Sequence, residues 1–287
     1  MIASDSVLMI NHNLKIDFTN CRLVEYDYLG DFNDIFEVTP LEYLTFAKES
    51  LNSDNRKGLI DALTNAKRAI DCQIDSIITV LGYDFKKFNE GSFYKFTKQF
   101  INTYYNGKTS IGLTDKIKLL NILNIMPTLL ISKNRNLRNI IEHEYKLPKY
   151  EEVQEAIEIA ELFIYSSNKK ISDTHRAIIF GSNHITKERE RIDKTTYKTI
   201  LMKPNYICIE FDYFKESKFK IVLVKEEDNH FPYNSYSNKH KEYLIDSSME
   251  TYPFLLKILF DRTYYLLPQL LGNKMKKEFI SFNVVKD

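Results

Sequence analysis

The chain has 287 residues, 44% of them hydrophobic and 28% charged, values of a soluble globular protein that argue against disorder and allow one large domain or two ordinary ones. Its 40 Lys and Arg nearly cancel its 39 Asp and Glu, so the net charge of +1 gives no general pull toward nucleic acid or membrane. Any polyanion site must come from local clustering. Cys21, Cys72 and Cys208 are odd in number, far apart and without CxxC spacing. They suggest neither a disulfide framework nor a zinc cluster and fit a reducing cytosol. The start, Met1 to Asp5, lacks the basic-then-apolar order of a signal peptide, and apolar runs such as Phe254–Phe260, interrupted by Lys257, are too short to span a bilayer. The expectation is a cytoplasmic protein without membrane contact.

In chain order, the alternating runs Leu14–Phe18 and Arg22–Tyr26 predict a hairpin or two edge strands, so residues 1–38 are expected to form an N-terminal extension. Thr39, Pro40 and Glu42 spell a capping box that starts a helix through about Leu51. Ser53 or Asp54 can cap a longer helix ending before Gly82, with the apolar stripe Leu59, Ile60, Leu63, Ala66, Ile70, Ile74, Ile77, Ile78 and Leu81. Residues 85–105 read as a further helix interrupted at Gly91, and Thr114 with Asp115 starts one through Ile125. Pro127 opens a helix toward His143, which Pro148 stops. Tyr150–Ser166 follows, acidic in its first turn, with Val153, Ile157, Ala160, Ile164 and Tyr165 as its buried stripe. The pattern over 39–170 is that of a helical bundle.

Beyond residue 174 the period changes. Arg176–Phe180, Tyr197–Met202, Tyr206–Tyr213 and Lys218–Val224 are short, β-branched or aromatic, and predict a small antiparallel sheet. A polar loop at 228–238, a long helix at about 240–271 ended by Gly272, and a last strand at Glu278–Val285 complete an α+β region over 175–287. The fold expected is mainly α, with an α+β C-terminal part.

The chemistry concentrates between Arg138 and Tyr145, where a fixed cation, an amide (Asn139), an imidazole (His143) and a phenol lie close together. Nine Arg and six His would give this one spacing by chance roughly 0.2 times, so context matters more than spacing. Singly, Arg138 could serve as a bundle salt bridge, His143 as a helix-end cap and Tyr145 as packing. Arg138 and His143 are five residues apart, about 140° around a regular helix, so they do not share one face, whereas Asn139 and His143 do. Imidazole can act as base or acid near neutrality. Guanidinium stays charged and grips phosphate oxygens with its planar fork. No metal-ligand spacing accompanies them.

The pattern Arg138, Asn139, three residues, His143 resembles the hallmark of the HEPN family (higher eukaryotes and prokaryotes nucleotide-binding), and His143-x-Tyr145 resembles its toxins paired with minimal nucleotidyltransferase antitoxins. The resemblance covers about 39–170. It implies a HEPN-like helical bundle acting as an endoribonuclease that needs neither metal nor cofactor. The implied site has Arg138, His143 and Asn139 as catalytic residues, completed in a homodimer by a second copy across a two-fold axis. The implied partners are RNA and a separate nucleotidyltransferase-like antitoxin or defence protein, and Tyr145 is the implied target of modification. The setting implied is a bacterial toxin or abortive-infection, antiphage effector. Lys133, Arg135 and Lys146 could supply an RNA-binding rim. The alternative is a catalytically inactive HEPN subunit that binds RNA or serves assembly, since fold does not fix function.

Other polar features read as structural. His175 and His184 around Gly181 suit a strand end and turn. The run Lys187–Lys194 alternates in sign as a solvated face does. The aromatics of Tyr206–Phe219 suit a sheet core better than a base-stacking platform. Tyr233, Tyr236, His240 and Tyr243 surround a long loop and could belong to a recognition surface.

Overall fold

The computed structural model describes residues 16–32, 35–53, 55–105, 113–126, 146–182, 206–212, 218–224, 241–271 and 276–285. It combines helices with a sheet in two compact units, one of Met1–Leu29 with Thr174–Asp287 and the other of Gly30–Asp173.

The helical unit contains α1 (Pro40–Leu51), α2 (Arg56–Val80), α3 (Gly91–Tyr105), α4 (Asp115–Ile122) and α5 (Tyr150–Ser172). Three of these starts have a local cause, those of α1, α2 and α5. Thr39 Oγ1 accepts from the Glu42 amide at 3.2 Å while Glu42 Oε2 accepts from the Thr39 amide at 2.8 Å, and Pro40 sits where no amide hydrogen is needed. For α2 the cap is Asn55, whose Oδ1 accepts from the Gly58 amide at 2.9 Å, and neither Ser53 nor Asp54 has that position. Gly82, at φ 82°, ends this helix in a conformation that costs glycine nothing. Glu152 Oε2 accepts from the Lys149 amide at 2.9 Å at the start of α5.

The helices pack through their apolar stripes, with two exceptions to the sequence expectation: Ile60 of α2 is exposed, and so is Tyr165 of α5, at 56%. The buried row of α5 continues instead through Ala156, Ile159 and Phe163 to Ile171, so the helix runs past the expected Ser166 to Ser172. Polar contacts fix neighbours in register. Lys48 of α1 meets Glu161 of α5 at 2.7 Å, Lys116 of α4 meets Asp75 of α2 at 2.6 Å, and the Tyr94 hydroxyl of α3 donates to Asp115 of α4.

The second unit is a six-stranded sheet in the order β5-β4-β3-β2-β1-β6, with β1 Cys21–Tyr28, β2 His175–Ser182, β3 Tyr206–Asp212, β4 Lys218–Val224, β5 Lys241–Ile245 and β6 Phe282–Val285. Neighbours from β5 to β1 are antiparallel, whereas β6 runs parallel to β1. The sheet is therefore mixed rather than purely antiparallel. Among the described residues the N-terminal hairpin expected from local alternation does not appear: β1 pairs with β2 on one side and with β6 on the other. Continuing the ladder, the Leu29 amide donates to the Thr174 carbonyl at 2.9 Å, so the chain leaves the sheet and returns to it side by side. Residues 30–173 are thus inserted between two adjacent strands.

The expected long helix at 240–271 is also corrected. Lys241–Ile245 pairs with β4 as strand β5, and α6 occupies only Tyr252–Asp261. Pro253 at its first turn fixes where it begins, and Arg262, at φ 54°, ends it in the left-handed region. A 3-10 turn at Tyr264–Leu266 and the single-turn α7 (Leu267–Leu270) follow. Nearly every residue of α6 is buried, which explains why its apolar pattern has no periodic polar face. Tyr252 reaches the sheet at Phe219, ring centroids 5.4 Å apart. On the other face Val24, Ile179, Cys208 and Val222 cluster with Tyr26 and Tyr206.

Candidate functional site

The segment that carries the sequence-predicted chemistry, Lys133, Arg135, Arg138, Asn139, His143 and Tyr145, lies outside the described residues, as do the expected Pro127 helix, the Tyr197–Met202 strand, His184, the Lys187–Lys194 run, and Tyr233, Tyr236 and His240. Of the expected RNA rim only Lys146 is described, and it is exposed in the extended stretch before α5. Tyr243 is half-buried on β5. The helices that flank the motif in sequence, α4 and α5, both belong to the Gly30–Asp173 unit.

Among the described residues the densest titratable cluster is in the sheet unit, on a face otherwise apolar. The register aligns Glu25 of β1 with Ile178, Ile209, Ile221 and Tyr243 across five strands. A carboxylate in that rung has to be compensated, because an isolated charge there would be strongly destabilising. Glu25 is 1% exposed, and its Oε1 accepts from the Tyr264 hydroxyl and lies 2.9 Å from Arg262 Nε. His175, 5% exposed at the start of β2, places Nδ1 3.4 Å from Glu25 Oε2 and 3.4 Å from an Arg262 amino nitrogen. Simple alternation along β2 would put His175 on the opposite face, with Ala177 and Ile179. Asp27, at φ 55°, marks where β1 departs from regular strand geometry beside it.

The cluster's chemistry is that of a clamped ion pair. Nδ1 can accept from Arg262 only as a bare nitrogen and can donate to Glu25 only when protonated, so its proton decides which neighbour it serves. Tyr28 covers the imidazole, ring centroids 4.4 Å apart. Burial, with the Glu25 carboxylate next, pushes the Tyr264 phenol well above its ordinary value, so it remains a donor. Arg262 is the one partly exposed member of the four, its side chain 43% open. The arrangement ties the end of α6 and the turn after it to β1 and β2.

Sequence reasoning read His175 as a strand end and did not single out Glu25, Arg262 or Tyr264. The signal was Glu25 itself, a charge on the same alternating face as Leu23, but its three partners are 150 or more positions away along the chain. Beside it on the sheet, Arg176 bridges Asp27 at 3.1 Å and Glu210 at 2.8 Å, a half-exposed arrangement of ordinary surface type. Among the described residues no group of three or more His, Cys, Asp or Glu could hold a metal ion, and no helix is long and apolar enough to cross a membrane. Burial raises the Cys21 thiol to about 12 and the Cys72 thiol to about 11, which suits packing rather than nucleophilic chemistry. No family model matches the chain, and no curated protein or solved structure is similar to it.

Proposed function

We propose that the chain is a metal-independent endoribonuclease of the HEPN type, acting in the cytoplasm as a bacterial toxin or abortive-infection effector. The observation that carries this reading is the sequence Arg138-Asn139-x-x-x-His143-x-Tyr145 in a chain whose Gly30–Asp173 unit contains the helices α1 to α5 among its described residues. On this reading that unit is the HEPN-like bundle. His143 takes the proton of the attacking 2′-hydroxyl or gives one to the leaving 5′-oxygen, and Arg138 neutralises charge that builds on the phosphorus oxygens. Asn139, four residues before His143 in the sequence, orients the imidazole or the phosphate. Because one segment offers one imidazole, a second copy in a homodimer supplies the complementary acid or base. Lys133, Arg135 and Lys146 track the RNA backbone. Tyr145 is the position at which a nucleotidyltransferase-like partner would neutralise the enzyme.

The test is cleavage of total RNA by purified protein in EDTA. His143→Ala and Arg138→Ala should each lower the rate by about 10²–10⁴-fold. Undiminished cleavage by both variants rejects the assignment. Salt-sensitive RNA binding without cleavage by the unmodified chain would mark an inactive RNA-binding subunit instead.

A further inference from the structure

The helical unit holds a cavity of about 290 Å³, bordered by the stretch before α1, the start of α1, and facing sides of α2 and α5. Its walls are mixed, with apolar and aromatic side chains such as Phe32, Phe36 and Ile164 beside the polar Thr39, Gln73, Ser76 and Asn168, and exposed Leu41 borders it. No charged side chain lines it among the described residues.

Its polar part is more telling. Gln73 of α2 is 2% exposed and spends both hydrogens of Nε2, one on Ser167 Oγ at 2.9 Å and one on Asn168 Oδ1 at 2.6 Å. The Ser167 hydroxyl donates to the Ile164 carbonyl at 3.1 Å, so its oxygen can only accept from Gln73, and this fixes which way the amide points. The Gln73 carbonyl oxygen then accepts no hydrogen bond among the described residues, and the Asn168 amide nitrogen donates none. Both residues line the cavity. The uncharged, partly aromatic slot is thus bordered by two side-chain amides that each keep one unused group, an acceptor on Gln73 and a donor on Asn168.

We infer that this cavity is a binding site for a nucleobase or its nucleoside: a flat, uncharged ring with a hydrogen-bond donor beside an acceptor. Side-chain amides read base edges through this pairing, and Phe32 and Phe36 provide faces for the ring. The volume is at the lower end of small-molecule pockets, about 300 Å³, enough for a base and its sugar. With no cation in the lining, a phosphate gains nothing, so a 5′-monophosphate should bind no better than its nucleoside. The inference does not depend on Arg138 or His143, and a catalytically dead His143→Ala chain should bind equally well.

Titration calorimetry of the full chain with adenosine, cytidine, guanosine and uridine, their monophosphates, and nicotinamide tests it. At least one nucleoside should bind, and Gln73→Leu should weaken it about tenfold, the loss of one neutral hydrogen bond. Leu41→Trp, which leaves Gln73 in place and fills the rim, should weaken the same ligand and keeps the test valid if Gln73→Leu does not fold. The inference is overturned if no nucleoside binds up to its solubility limit, or if nicotinamide alone binds. Unchanged affinity in both folded variants, or a monophosphate binding tenfold more tightly than its nucleoside, would overturn it too.

Discussion

Beneath α6 in the sheet unit the buried polar contact is made of charged groups, Glu25 with Arg262, His175 and Tyr264; between α2 and α5 in the helical unit it is made of amides and a hydroxyl, Gln73 with Asn168 and Ser167. The two respond differently to incomplete pairing. A carboxylate on an apolar sheet face must be compensated by its neighbours, so Arg262 and Tyr264 close on Glu25 Oε1 while His175 lies 3.4 Å from Oε2. An amide tolerates a half-used state at modest cost, so Gln73 can leave an acceptor facing a cavity. The charged contact therefore reads as a clamp, and the neutral one as a contact with capacity to spare.

The sharpest way to break this comparison is Glu25→Ala. It leaves the buried Tyr264 hydroxyl without its acceptor and Arg262 without its counter-charge, and should cost about 3 kcal/mol, the lower end for a broken buried pair because Arg262 can turn toward water. Urea unfolding followed by circular dichroism measures it, and a loss below about 1 kcal/mol would show that the clamp carries little of the sheet unit's stability.

A helical-unit change of comparable kind is steric. A Cβ on Gly58 would come within 2.5 Å of the Ser50 carbonyl oxygen and 3.0 Å of the Ser53 Cβ, where α2 starts beside the end of α1. Gly58→Ala should destabilise by about 2 kcal/mol through overpacking, although alanine favours a helix interior elsewhere. Stability equal to or above that of the unmodified chain would mean that the α1–α2 turn shifts freely.

Lys48→Ala should have the smallest effect. Lys48 and Glu161 are 2.7 Å apart, yet their side chains are 48% and 36% exposed, so the pair should contribute no more than about 0.5 kcal/mol and vanish in high salt. A loss above about 1 kcal/mol, persisting in high salt, would show that a surface pair can matter as much as the buried one.

Where signals are local, the sequence was legible. Thr39, Pro40 and Glu42 fall within one helical turn and start α1 as their types require. Gly82 ends α2, and strands β2, β3 and β4 form where short β-branched runs predict them. The chemistry of Arg138, Asn139, His143 and Tyr145 is likewise a property of contiguous residues, and the functional proposal rests on it.

What only the tertiary structure decided involves partners distant along the chain. Alternation at 22–26 announces a strand but cannot say that β2, some 150 residues later, is its neighbour in place of a nearby hairpin partner. The apolar run before Gly272 does not reveal that Lys241–Ile245 is drawn into the sheet by β4 while Pro253 begins a shorter helix. Nor does a glutamate within a strand disclose the arginine, histidine and tyrosine that make its burial tolerable. Caps, prolines and glycines act through their own backbone within a turn, so one sequence determines them. Strand pairing, burial and charge compensation depend on which surfaces meet, and folding alone supplies that.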